Sequence, residues 1–135
     1  MRTDDIVARI RALCPGFAQV DHALLSASQE SYPGAFVALV KADALPSSYI
    51  GAHVQIVRET IGVFITLERR LDEDTGEGSN DILDDLRAEL RAALVNWTPP
   101  GANQPLDYAG GELALRNGIA AWRDDFATQT VYSSP

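Results

Sequence analysis

The stretch Ser79–Pro100, SNDILDDLRAELRAALVNWTPP, restricts the fold more than any other part of the chain. Its apolar residues Ile82, Leu83, Leu86, Leu90, Ala93, Leu94 and Trp97 step by threes and fours, which lines them up on one stripe of an α-helix. Asp84, Asp85, Arg87, Glu89 and Arg91 fall on the opposite side. Ser79 or Asn80 is expected to cap the start by accepting a bond from an orphan N–H of the first turn. Asp81, Asp84 and Asp85 lie near the positive end of the helix dipole, with Arg87 and Arg91 further on. Pro99 and Pro100 forbid continuation. Such a helix has to bury its stripe against a sheet or a second helix.

The rest of the chain supplies both. Residues 3–13 predict a shorter helix, with Thr3 as cap, Asp4 and Asp5 in the first turn, and Ile6, Val7, Ile10 and Leu13 buried. Pro15-Gly16 stops it. Phe17–Leu25 is expected as a strand, and Ser26–Gly34 as a polar loop ending in the turn Pro33-Gly34. Ala35–Val40, AFVALV, is apolar throughout, so a strand covered on both faces or central in a sheet is expected. After the loop Ala42–Gly51, the run Val54–Leu71 predicts the longest strand. Ile61, Val63, Ile65 and Leu67 share its core face, while Thr60, Gly62, Phe64, Thr66 and Glu68 share a partly polar one. Asp72–Asn80, DEDTGEGSN, reads as a mobile acidic loop.

Beyond Pro100, a turn at Gly110-Gly111 is expected between short extended pieces at Leu106–Tyr108 and Glu112–Leu115. Asn117-Gly118 signals another turn. Ile119–Tyr132 predicts a last strand with Trp122, Phe126, Thr128, Thr130 and Tyr132 on one parity and Asp124 as an exception among them. No internal repeat or low-complexity segment is visible. Helix, strands, helix and strands in that order predict an α+β domain over residues 1–135. It is expected to be a mainly antiparallel sheet of about four strands with both helices on one face. The other face would be solvated or covered by a neighbouring subunit.

At 135 residues the chain suffices for one domain that buries roughly two thirds of its unfolded surface. A net charge of −8 argues against binding nucleic acid through phosphates, which requires a basic surface. Acidity serves solubility, and it also suits a surface that repels DNA. Cys14 is the single cysteine, which excludes an internal disulfide and suits a reducing compartment. The N-terminus interleaves charges with apolar residues, unlike a secretory signal, and no apolar run approaches the roughly 20 residues of a membrane span. A soluble protein, intracellular where it is made, is expected.

No catalytic constellation emerges. His22 and His53 are 31 positions apart and fit no zinc-ligand spacing. Cys14 reads as a small buried hydrophobe. As a calcium loop, Asp72–Leu83 fails, because Glu77 occupies the glycine position and Leu83 the place of the bidentate glutamate. A solvated loop is the simpler reading, and a looser divalent-cation site at Asp72, Glu73, Asp74 and Glu77 stays open. No cofactor is expected, nor any nucleophile elbow or phosphate loop.

Four features, taken in order, resemble the tail terminator (tail completion) proteins of tailed bacteriophages and prophage tails. They are the N-terminal helix; PGAFVALV at Pro33–Val40; the run from Gly62 to Pro99, where an apolar strand enters an acidic loop and then a helix ending in an aromatic before proline; and LDYAGGELAL…AWRDDF between Leu106 and Phe126. The order and spacing of the features carry the resemblance, which covers nearly the whole chain. It implies a non-enzymatic virion subunit that assembles as a six-fold ring on the head-proximal end of the tail tube. There it would stop polymerisation and present a joining surface to the head connector in the neck, with DNA passing through unbound. Its implied partners are itself, the tube protein and the head-completion protein, brought together in the host cytoplasm. Candidate contact residues are Asp72, Glu73, Asp74, Glu77 and Asp81 of the acidic segment, Thr60, Phe64 and Thr66 of the partly polar strand face, and Trp122 and Phe126 of the last strand. The alternatives are a small intracellular ligand-binding or enzymatic domain with a pocket near His22, His53 and Tyr108, or another neck or tube component of similar fold.

Overall fold

The computed structural model describes residues 1–23, 31–46, 53–67, 77–116 and 119–134. Its elements are α1 (Thr3–Leu13), β1 (Gln19–His22), β2 (Gly34–Ala44), β3 (His53–Thr66), α2 (Glu77–Leu94), β4 (Asp107–Arg116) and β5 (Ile119–Ser134). The strands form one sheet in the order β1-β2-β3-β5-β4. The α+β class is as expected, with five strands rather than four. The β1–β2 pair is parallel and every other pair is antiparallel.

Both helices pack on one face of the sheet. Ile6, Val7 and Ile10 of α1 and Leu83, Leu86, Leu90, Ala93 and Leu94 of α2 share a core with Ala35, Val37, Ile61, Val63, Ile65 and Phe126. Each fully buried aliphatic side chain contributes about 1.5–3 kcal/mol relative to exposure. Polar contacts then fix how the layers meet. Arg11 donates to the carbonyl of Val20 (Nη2, 2.7 Å) and to Asp21 (2.9 Å), holding α1 to β1. Arg9 donates to the Ala93 carbonyl at 2.9 Å and stacks 4.7 Å from the centre of the Trp97 ring, joining α1 to the end of α2.

Several expectations change in detail. The long helix begins at Glu77, so residues 77–80 are its first turn rather than loop or cap. Glu77, with Asp81 just after it, puts negative charge near the positive end of the helix dipole, which favours helix there. The helix ends at Leu94, before the prolines act. Asn96 has φ 69°, and its N–H turns to the carbonyl of Leu106. Ile82 is exposed rather than part of the buried stripe. Thr3 lies inside α1 and makes no cap bond; the N-cap is Arg2, and the Thr3 hydroxyl meets His22 Nδ1 at 3.2 Å. AFVALV is buried only through Ala38, and Leu39 and Val40 are exposed where β2 runs past the helices. The first strand is Gln19–His22, within the wider span expected.

Gly110-Gly111 is not a turn. Both glycines lie inside β4, whose register against β5 shifts between Tyr108 and Gly110, and Gly110 has φ 114°. An extra residue in one strand of a pair bends it locally without ending it. Beyond Ala127, where β4 has not yet begun, Asn103 takes its place. Its N–H donates to the Gln129 carbonyl, and its Oδ1 accepts from the Val131 N–H.

Candidate functional site

The most concentrated polar arrangement sits under α2, around the residue that broke the parity of the last strand. Asp124 is completely buried on the helix side of β5. Its Oδ1 accepts from Trp122 Nε1 at 2.8 Å and from the Tyr108 hydroxyl at 2.9 Å, while Oδ2 accepts from Arg87 Nε at 3.1 Å. Arg87 Nη2 also donates to the Tyr108 oxygen at 2.9 Å, and the guanidinium lies 4.6 Å from the centre of the Trp122 ring. A buried carboxylate is tolerated only when paired and hydrogen-bonded, and this one is both. Partial burial works against the Arg87 charge, but its bonds to Asp124 and Tyr108 outweigh that and raise its pKa. Tyr108 is also raised, first by burial and then by its bond to Asp124, with Arg87 opposing. This closed network joins α2, β4 and β5, and offers no free nucleophile or base.

Gly111 makes the network possible. A Cβ there would lie 2.5 Å from Asp124 Oδ1 and 2.9 Å from both Trp122 Nε1 and the Tyr108 oxygen. The sequence signal for this site was present: one aspartate on a buried parity demands a cation from the opposite layer. Arg87, beside Leu86 on the helix, is that cation, although its position placed it on the solvent side.

The expected contact residues divide. Thr60 and Phe64 alternate with the buried Ile61, Val63 and Ile65, so they lie on the sheet face turned away from the helices. Thr66 is on that face but buried, and Phe126 is completely buried in the helix-side core, so neither side chain is presented to a partner. Trp122 is half-buried against the core and committed to Asp124. Asp81 is exposed on α2. Asp72, Glu73 and Asp74 lie outside the described residues, as does the side chain of Glu77.

The pocket imagined near His22, His53 and Tyr108 is not assembled. His22 belongs to β1 and Tyr108 to β4, at opposite edges of the sheet. His22 Nε2 pairs with Asp4 at 2.8 Å. Burial first, and then Glu89, push the Cys14 thiol up to about 11, far from a nucleophile. Among the described residues no group of three or more His, Cys, Asp or Glu side chains is placed to hold a metal ion, and no helix is long and apolar enough to cross a membrane. Among the described residues the most exposed large apolar side chains are instead Leu115 (72%) and Leu113 (64%), on the edge strand β4. Sequence reasoning missed them, because alternation alone does not say which strand ends a sheet.

These features define a two-layer α+β domain with exposed leucines on its edge strand β4. Residues 1–134 match the family described as phage tail terminator protein, and the chain belongs to that family. A search of curated proteins finds no match. The family is one of structural proteins rather than enzymes, and the chain accordingly has a structural role in a phage tail.

Proposed function

We propose that this protein closes the head-proximal end of the phage tail tube. A ring of six copies sits on the last tube ring, stops further polymerisation and presents the surface to which the head connector joins. The observation that carries this reading is the family match across residues 1–134, essentially the whole chain. The mechanism is shape and symmetry. A head-to-tail ring uses two different patches on each subunit and closes when the rotation between them allows. Thr60 and Phe64, on the face without helices, are the proposed contacts with the tube or connector. The acidic segment carrying Asp72, Glu73, Asp74, Glu77 and Asp81 faces the lumen or the tube, where negative charge lets DNA pass without adhering. The ring belongs to the neck of the virion and is assembled in the host cytoplasm.

Deleting the gene from its parent genome and viewing the induced lysate by electron microscopy tests the reading. Overlong or ragged tails with filled, unattached heads are expected. Normal joined particles would refute it.

A further inference from the structure

Among the described residues the sheet has an open edge on each side, and the two edges match. Among the described residues no strand lies on the outer flank of β4. On the other side β1 covers β2 only from Gly34 to Val37, and β2 runs on to Ala44 with no described strand on that outer flank. Residues 39–44 of this overhang are all exposed. Register assigns their faces. Leu39 stands opposite Ile61 and Leu113 opposite Trp122, so both lie on the helix side of the sheet. Lys41 stands opposite Thr60 and Glu112 opposite Arg123, so both lie on the other side. Lys41 pairs with Asp43 at 3.4 Å and Glu112 with Arg123 at 2.9 Å, yet their side chains stay 67% and 63% exposed, open to a second partner.

Direction matches as well. From β2 to β3, to β5, to β4 the chain reverses at every step, so β2 and β4 of one sheet run oppositely. A second copy rotated about an axis, with its helices on the same side, therefore brings its β2 antiparallel to the first copy's β4.

We propose that copies of this protein join by strand addition, the outer edge of β4 in one pairing with the β2 overhang of the next. Leu39 then packs beside Leu113 on the helix side, and Lys41 meets Glu112 on the other. Backbone bonds along the edge give affinity, and the side-chain pairs on the two faces set the register. Because the two edges differ, the contact repeats in one direction around a ring, and closure covers the outer edge of β4 and the β2 overhang in every copy. This deepens the ring reading of the proposed function and rests on it for closure.

The single cysteine, Cys14, is buried, so introduced cysteines report alone. Full-length Leu39→Cys and Leu113→Cys proteins are oxidised separately and mixed, and run on non-reducing gels. Disulfide dimers are expected in the mixture and in neither protein alone, with a ladder of higher species from the double variant. Lys41→Glu or Glu112→Lys added to that double variant should cut the ladder several-fold, and both together should restore it. Dimers from either single variant alone would overturn the proposal. So would a double variant that keeps its circular dichroism spectrum yet stays monomeric through oxidation at high concentration. The gene deletion reads tail closure separately: a ladder with normal tails keeps the edge pairing and removes the capping role, and ragged tails without a ladder do the reverse.

Discussion

Arg87 on α2 reaches across the layer boundary to Asp124 on β5, with 3.1 Å between Nε and Oδ2, and the carboxylate it meets is fully enclosed. The helix and the sheet are thereby held by a charge that neither could bury alone. Removing one partner of a buried pair leaves the other uncompensated, at a cost of about 3–5 kcal/mol. Arg87 retains some exposure, which lets water soften that loss. Arg87→Met is expected to destabilise the protein by about 3 kcal/mol in urea unfolding. A change within about 0.5 kcal/mol, the range of ordinary surface substitutions, would mean that Tyr108 and Trp122 satisfy Asp124 by themselves.

The two adjacent glycines of β4 should respond differently to alanine. At Gly111 the added methyl group collides with Asp124, Trp122 and Tyr108, whereas at Gly110 it meets nothing within 4 Å and only the φ of 114° is strained. Gly111→Ala is expected to cost about 2–3 kcal/mol and to shift Trp122 fluorescence as the network opens. Gly110→Ala is expected to cost about 1–2 kcal/mol through the backbone alone, with the emission unchanged. Equal spectra for the two variants would contradict the assignment.

Asn96 ends α2 in a left-handed conformation that glycine adopts freely and alanine does not. Asn96→Ala should lower stability by about 1 kcal/mol, and Asn96→Gly should leave it nearly unchanged. Thermal melts of the two variants would check this ordering.

Cys14 donates to the Glu89 carbonyl at 3.7 Å in the α1–α2 seam. Its folded pKa of about 11 lies above the ordinary 9.0, so the folded state holds the thiol proton more tightly than the unfolded chain. The resulting stabilisation is complete below pH 9 and is lost as pH rises towards 11. Alkylation at pH 8 should therefore be slow in native protein and fast in denaturant. Rapid labelling of the native protein would place the thiol at the surface.

The two helices and the core face of β3 were legible because the middle of each follows a single period, although Leu13 and Ile82 at the helix ends are exposed. Ile61, Val63 and Ile65 alternate cleanly, and Leu83, Leu86 and Leu90 follow one helical stripe, so local pattern and global burial agree. The parallel strand β1 was legible only in outline, because four residues hold too little alternation to fix its ends or its partner. Gly110-Gly111 misled because a glycine pair marks a turn and a bulge equally well. Asp124 stood out as an anomaly, but its meaning lay in Arg87, 37 positions away, and no local pattern connects them. Phe126 looked available for contact because strand parity does not reveal how deep in the layer a position lies.

Asn103, by bonding to both Gln129 and Val131, gives the outline of the sheet a step. A single residue occupies the flank of β5 where β4 would lie had it begun earlier. A strand seeking this flank of β5 would have to displace Asn103 and break both bonds. One asparagine, bonded through both its backbone and its side chain, thus occupies a stretch of β5 that would otherwise be open to pairing.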